Sequence, residues 1–304
     1  MAISRTQLVK ELEPGLNALF GLEYKRYENQ HAEIYVTESS DRAFEEEVML
    51  SGFANAQTKA EGSGLAFDSA QETYTARYTH DTIALAFAIT EEAIEDNLYD
   101  RISSRYTKAL ARSMSNAKQV KAVTPLIDGL PSTDGFDSGD GVSLFNTAHT
   151  TVSGTNVKNT LTTQADLNET SLEQSLIDIA AMTDERGLRI AARGVKMIIP
   201  SANQFTAERL MKSQGRTGTA DNDINAIGSM GMIPQGYRVN NYLTDSDAFY
   251  IITDVPNGMK MFQRAPLKTA MEGDFDTGNV RYKARERYSF GVSDYRGIFG
   301  VEGA

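Results

Sequence analysis

The sequence predicts a mixed α+β fold that carries two appendages. Three observations lead to this prediction. One helical apolar pattern is far longer than any other, residues 31–88 and 257–304 alternate in the manner of strands, and a segment between them combines amphipathic helices with an apolar strand. A chain of 304 residues is long enough to bury its own core and to form one large domain or two.

Residues 1–30 form an amphipathic N-terminal arm with two short helical stripes, which the Glu-Pro-Gly step around Pro14 separates. Pro14 suits the first turn of the second helix, where its missing N–H has no partner to lose. An arm of this size has too little apolar surface to be stable alone, so we expect it to pack on a neighbouring subunit. The side chains predicted for this contact are Leu8, Leu12, Leu16 and Phe20.

Residues 31–88 contain four strand patterns, beginning with Ala32–Val36, and the middle two form a long hairpin. Its tip, residues 54–71, is mostly small and polar. An irregular stretch of this length is unusual inside a compact domain and often marks a functional extension. We therefore expect the hairpin to contact a neighbouring subunit. The contact residues predicted at its base and tip are Glu45, Glu46, Glu47 and Lys59.

The strongest signal is a long helix, predicted to begin near Thr90 and to end at Pro125. Apolar residues recur at helical spacing between these two positions. About 33 residues at roughly 1.5 Å each give a rod near 50 Å long. The mean globular helix has only about 11–12 residues, so this helix is a structural spine.

A compact α/β segment follows a polar loop region that is centred on residues 134–150. It contains an amphipathic helix through Leu172 and Ile179, then a strand at residues 195–200. Ser201 and Gln204 are spaced as a capping box at the start of the next helix. Two strands about a short acidic turn come next, and residues 257–304 contain further strands.

The stretch VRYKARERYSFGV, residues 280–292, separates into two faces when it is written as a strand. One face is apolar except for Glu286, and its other members are Tyr282, Ala284, Tyr288, Phe290 and Val292. The opposite face carries four cations, Arg281, Lys283, Arg285 and Arg287, in a chain of formal net charge −11.

Three interpretations of this basic face remain, in order of preference. The cations pair with an acidic surface of a neighbouring copy, such as Glu45–Glu47; they protect a strand edge against aggregation; or they contact DNA weakly. The overall negative charge argues against general binding of nucleic acid and against docking to anionic membranes.

The sequence predicts no catalytic residue, cofactor or metal site. There are no cysteines, and the phosphate-binding, nucleophile-elbow and zinc motifs are absent. A calcium-like loop at residues 221–232 has Ala226 and Met232 where glycine and glutamate are needed. The isolated histidines are predicted to be ordinary polar residues, and the loop aspartates a solvated turn. These residues are His31, His80, His149, Asp134, Asp137 and Asp140.

The sequence contains neither a secretory signal nor a membrane span. Its first twenty residues lack a continuous apolar region, and its longest apolar run, residues 83–89, is far shorter than the roughly 20 residues that a membrane helix needs.

Three segments in the correct order resemble the major capsid proteins of tailed bacteriophages, and specifically the Mu-like family. Residues 86–100, AFAITEEAIEDNLYD, resemble the junction of strand and spine helix. Residues 140–150, DGVSLFNTAHT, resemble the family segment Leu-Phe-Ser-Thr-Ala-His-Pro, from which Asn146 and Thr150 depart. Residues 291–300, GVSDYRGIFG, resemble the terminal strand.

The resemblance implies a Hong Kong 97-type fold. It divides the chain into an arm (1–30), strands with an extended loop (31–88, tip about 54–71), a peripheral domain with the spine helix (89–125), an axial domain (126–236) and strands that return to the peripheral domain (237–304). The implied assembly is an icosahedral shell of hexamers and pentamers around the genome, made in the host cytoplasm. The implied partners are other copies of the chain, a portal, a scaffold and decoration proteins, with at most weak DNA contact and no membrane.

Some relatives carry an N-terminal scaffold, and some crosslink a lysine to an asparagine between subunits. Because this chain begins with Met at the arm itself, we expect a separate scaffold. Lys59 is the only candidate for a crosslink, and we expect none because the partner residues are not identifiable. Two alternatives are an encapsulin-type shell and, less favoured, a soluble enzyme with an unrecognised site.

Overall fold

The computed structural model describes residues 5–90, 92, 99–215, 224–274 and 278–304. Five helices lie in these ranges: α1 (Arg5–Arg26), α2 (Tyr99–Asp128), α3 (Glu169–Ala181), α4 (Gln204–Lys212) and α5 (Ala226–Met230). The strands are β1 (Val36–Ser39), β2 (Phe44–Leu50), β3 (Glu72–Thr79), β4 (Asp81–Ile89), β5 (His149–Thr150), β6 (Asn156–Val157), β7 (Gly194–Ile199), β8 (Tyr237–Val239), β9 (Phe249–Thr253), β10 (Met259–Gly273), β11 (Val280–Val292) and β12 (Ile298–Val301).

Two four-stranded sheets organise these elements. The first, which we call the spine sheet, has the order β1-β10-β11-β4, and only β1 runs parallel to its neighbour. The second, which we call the inner sheet, has the order β12-β9-β7-β8, with β7 and β8 parallel. Strands β2 and β3 pair only with each other and form the predicted hairpin.

Helices α1 and α2 cover one face of the spine sheet. Leu16 and Phe20 of α1 meet Leu110 and Met114 of α2 on Tyr282 of β11, and all five side chains are buried. This alternation places every second residue of β11 against the helices, as the sequence pattern predicts. The opposite face of the spine sheet has no helix on it within the described ranges.

The inner sheet sits in the larger core. Its strands pack beneath α3 and against the end of α2, with Leu172, Ile179, Phe249, Phe299 and Leu126 among the fully buried side chains. Asn168 caps α3, since its side chain accepts a hydrogen bond from the N–H of Ser171.

Both predictions that a proline delimits a helix are wrong. Helix α1 is one continuous element with Pro14 inside it, and α2 passes Pro125 and ends at Asp128. A proline in a helix interior costs about 3 kcal/mol or more. Packing of Leu126, which has no exposed surface, offsets this cost at the end of α2. The predicted start of the spine helix lies mostly outside the described residues, because 91 and 93–98 are not among them.

The strand predicted at Ala32–Val36 is also wrong. Residues Gln30–Glu33 form a 3₁₀ turn, and β1 begins at Val36. The reason is tertiary, since Gln119 of α2 accepts a hydrogen bond from the backbone N–H of His31 and holds the turn against the helix.

The predicted capping box at Ser201 and Gln204 does not form. Ser201–Asn203 is a 3₁₀ turn, and α4 begins at Gln204 with no side-chain cap. The two strands predicted about the acidic turn exist as β8 and β9, but β7 lies between them. The domain boundary expected at residue 236 would divide the inner sheet, because β8, β9 and β12 pair within that sheet. Of the strands after residue 236, only β10 and β11 belong to the spine sheet.

Candidate subunit interfaces

The described residues contain no group of three or more acidic, histidine or cysteine side chains that could hold a metal ion. Nor do they include a helix with both the length and the hydropathy of a membrane span. The loop aspartate Asp140 instead accepts a hydrogen bond from His149 at 2.6 Å. Burial would raise the pKa of Asp140, but hydrogen bonds from His149 and Ser138 outweigh it and hold the pKa below its usual value.

All three histidines are buried and hydrogen-bonded within the chain. His31 lies beside Gln119, and His80 lies between Ser40 and Ser289. Burial, followed by the nearby charge of Lys118, lowers the pKa of His31 to about 4. This side chain is therefore neutral at physiological pH, as an internal packing residue should be.

The prediction that Leu16 and Phe20 contact a neighbouring subunit is wrong. Both side chains are buried against α2 and β11 of their own chain. A side chain that is only 2% exposed in the protomer, as Phe20 is, offers no surface to a second copy. The arm therefore completes the core over the spine sheet. The side chains of Leu8 and Leu12 lie outside the described part of the structure.

The hairpin exposes apolar side chains that the sequence analysis did not select. Phe53 and the tip, residues 54–71, are exposed throughout and have no strand pairing. Five exposed apolar side chains of β2 and the tip, which we call the hairpin face, are Val48, Leu50, Phe53, Leu65 and Phe67; Phe44 of β2 is also exposed, with Arg77 over its ring. Phe67 is 97% exposed. Phe53, Leu65 and Phe67 stand among small and polar residues without a regular period, so only charged residues of the hairpin were predicted as contacts.

The three glutamates at the base of the hairpin differ in their partners within the chain and in their exposure to solvent. Glu47 accepts a hydrogen bond from Lys260 at 2.6 Å, and Glu45 accepts one from Ser40 at 2.7 Å. Glu46 lies 3.8 Å from Arg77 in an exposed ion pair. The structure thus leaves Glu46 as the most accessible of the three. Lys59 lies exposed at the tip, as expected from its position.

The four cations of β11 lie together on the face of the spine sheet that α1 and α2 do not cover. The hairpin packs on the same face further along β11, where His80 contacts Ser289. Arg281, Lys283 and Arg285 are exposed, and Arg287 is partly buried. The structure excludes edge protection as their role, because β11 lies between β10 and β4 and is not an edge strand.

Neighbouring strands extend this surface, which we call the basic sheet face. Lys268 of β10 pairs with Arg285, and Glu272 pairs with Arg281. On the other side, three exposed alanines of β4 stand opposite the cations in register: Ala84, Ala86 and Ala88. Small side chains there leave the cations projecting above their surroundings.

Glu286, the one charge on the apolar face of β11, has a specific partner. Its carboxylate lies 3.2 Å from the ammonium of Lys118 in α2, and Tyr24 of α1 donates a hydrogen bond to it. Burial raises the pKa of Glu286 above its usual value, although Lys118 opposes this. The ion pair joins α2 to the sheet and the hydrogen bond from Tyr24 joins α1 to it, so the apparent exception in the sequence pattern is an internal ion pair.

Comparisons with known proteins identify the family. A family model described as phage capsid protein matches residues 73–301. A sequence search of curated proteins found no match.

Solved structures share the fold at low identity. A structure from Mycobacterium phage Patience has a TM-score of 0.59 at 11% identity and covers 99% of this chain and 89% of its own. The capsid of Myoviridae phage XM1 gives 0.53 at 11%, with 89% and 90% covered. A virus-like particle from Pyrococcus furiosus gives 0.52 at 9%, with 94% and 98% covered.

The fold predicted from the sequence, the Hong Kong 97-type capsid fold, is confirmed by these similarities. The encapsulin-type alternative is not favoured, because the matching family is one of phage capsid proteins. The chain belongs to the phage capsid protein family.

Proposed function

We propose that copies of this chain assemble, as hexamers and pentamers, into the icosahedral head shell that encloses the genome of a tailed phage. The observation that carries the proposal is the hairpin face, where five apolar side chains are exposed on a segment with no core of its own. Several large apolar side chains exposed on one extended segment are typical of an interaction site. Because the chain belongs to a capsid protein family, the partner we propose for this surface is a second copy of the chain.

The basic sheet face supports a second contact. The hairpin, residues 44–79, carries six acidic and two basic side chains. The acidic ones are Glu45, Glu46, Glu47, Glu61, Asp68 and Glu72, and the basic ones are Lys59 and Arg77. A hairpin that reaches a neighbour would therefore meet the basic sheet face with opposite charge. Each exposed pair is worth about 0–1 kcal/mol, but repetition over a shell can set register and partner choice.

The role that follows is structural and non-catalytic. We propose that the subunit resides in the virion capsid after assembly in the host cytoplasm, with a portal, a scaffold and decoration proteins as its other partners. Residues 1–30 form the arm and 31–88 the strands and extended loop. Residues 89–125 belong to the peripheral domain and 126–236 to the axial domain. The returning strands within 237–304 are β10 and β11, whereas β8, β9 and β12 stay with the inner sheet.

Electron microscopy of the purified chain, expressed with and without its scaffold, tests the proposal. We expect closed particles from the natural chain. The double variant Phe53→Ser/Phe67→Ser should remain folded but lose particles, because Phe67 is 97% and Phe53 60% exposed, so little packing within the chain is lost. The matched control Phe53→Leu/Phe67→Leu keeps the apolar surface and should assemble. A natural chain that stays monomeric even with scaffold, or full assembly of the serine variant, would contradict the proposal.

The charge contact needs its own variants. Arg285→Glu/Arg287→Glu should weaken assembly and invert its dependence on salt, whereas Arg285→Lys/Arg287→Lys keeps the charge and should leave both unchanged. Unaltered assembly and salt dependence in the glutamate variant would remove the basic sheet face from the interface.

A further inference from the structure

Helix α2 carries a second basic surface, on the side of the spine sheet opposite to the basic sheet face. Residues 103–127 contain five cations and no aspartate or glutamate. Two of these cations have internal partners, since Lys118 pairs with Glu286 and Lys121 with Asp81. The other three, which we call the helix stripe, are Arg105, Lys108 and Arg112.

The helix stripe faces solvent along one line of α2. Its positions are three and four residues apart, so they share one face of the helix. The buried residues Leu110 and Met114 point to the opposite side, toward β11. All three cations are exposed, and none forms an ion pair with any residue in the described part of the chain.

We propose that the helix stripe binds the phosphate backbone of double-stranded DNA without sequence preference. This inference rests on the proposed function, because a shell that encloses a genome brings one side of its wall close to DNA. The stripe spans about 10 Å, over which duplex DNA carries about six phosphate charges. Three unpaired cations can therefore all meet phosphates at once.

Charge also separates the two basic surfaces. On the basic sheet face Arg281 is paired with Asp274, and the acidic hairpin supplies a complementary partner in another copy. Within the described residues the helix stripe has no ion-pair partner, and its charged side chains are typical of a phosphate-contacting surface rather than of a protein interface core. The chain's net charge of −11 keeps this contact weak and salt-sensitive.

The test uses the unassembled full-length chain and a labelled random-sequence DNA duplex, with affinity measured across a salt series. Neutralising the helix stripe with Arg105→Gln/Lys108→Gln/Arg112→Gln should make the slope of log affinity against log salt less steep by about 2–3, since each phosphate contact contributes about 0.9. The matched control Arg281→Gln/Lys283→Gln/Arg285→Gln removes three cations from the other side of the sheet. Its slope of log affinity against log salt should remain close to that of the natural chain.

Two results would overturn the inference directly: no DNA binding by the natural chain at low salt, or an unchanged slope in the helix-stripe variant. A third is competition by polyglutamate as strong as competition by unlabelled DNA at equal charge, because it would assign the surface to an acidic protein. Electron microscopy of the same proteins separates the two proposals. Shells that form normally while the slope stays unchanged refute DNA binding alone, whereas a natural chain that forms no shells refutes the proposed function.

Discussion

The inner sheet and the hairpin both contain aromatic and apolar residues, but the sheet buries these side chains and the hairpin exposes several of them. Phe249 and Phe299 of the inner sheet have no exposed surface, whereas Phe53 and Phe67 of the hairpin are 60% and 97% exposed. The difference lies in what this chain provides around each segment. Helix α3 and the end of α2 cover the inner sheet, and no described element covers the hairpin tip. We infer that the sheet stabilises the subunit and that the hairpin stabilises contacts between subunits.

A pair of identical substitutions sharpens this comparison most. Phe299→Ala should lower the free energy of unfolding by about 3–5 kcal/mol, because it removes a fully buried ring and leaves a cavity. Phe67→Ala should change it by no more than about 0.5 kcal/mol. Urea unfolding of the unassembled subunit measures both values. A large loss in Phe67→Ala would mean that the tip packs on its own subunit.

Ion pairs provide the second comparison. Lys118→Met should cost about 3–5 kcal/mol of stability, because it leaves Glu286 buried with an uncompensated charge. Arg77→Met breaks the exposed pair with Glu46 on the hairpin and should cost about 0–1 kcal/mol. The same unfolding measurement applies, and equal losses from the two variants would contradict the burial argument.

The pH dependence of the interior should be visible at His31. Its pKa in the folded chain is about 4, below the ordinary value of 6.5, so the unfolded chain binds more protons between these values. Stability should therefore fall as pH drops from 6.5 toward 4, by on the order of 2–3 kcal/mol from this residue. In His31→Asn the amide oxygen can still accept the hydrogen bond from Gln119, but the group does not titrate. A wild-type advantage over His31→Asn that stays constant with pH would refute this assignment.

Glycines give the smallest contrast. A Cβ at Gly300 of β12 would lie 2.6 Å from the ring of Phe145, so Gly300→Ala should cost about 1–3 kcal/mol through overpacking. A Cβ at Gly64 in the hairpin tip would meet nothing within 4 Å, and Gly64→Ala should be neutral within about 0.5 kcal/mol. Thermal unfolding of both variants checks the difference, and a neutral Gly300→Ala would show that Phe145 can move aside.

Alternation and long periodicity made much of this fold predictable. The two faces of β11, the hairpin and α2 follow from periods of 2 and 3.6 residues, which local sequence sets directly. The extent of α1 and α2 could not be predicted from their prolines, because tertiary packing offsets the local cost of a proline. The pairing of β9 with β7 rather than β8 is a choice between distant segments, and no local pattern encodes it.

The candidate interfaces were predictable only in part. The cations of β11 follow from alternation, and their exposure agrees with it. The prediction that Leu16 and Phe20 contact a neighbour was wrong because an amphipathic stripe indicates that a helix face is buried. It does not indicate whether the same chain or another chain buries that face. Phe53 and Phe67 were missed for the converse reason, since apolar residues in a loop of small residues have no period.

The alternation of β11 limits how this protein can change in evolution. A single in-frame codon inserted within residues 280–292 would turn the following side chains to the other face, which would push arginines under α2 and tyrosines into solvent. The hairpin tip has no pairing register to lose. We therefore expect related genes to vary in length between codons 53 and 71 and to keep the length of β11 fixed, even where most of its residues have been replaced.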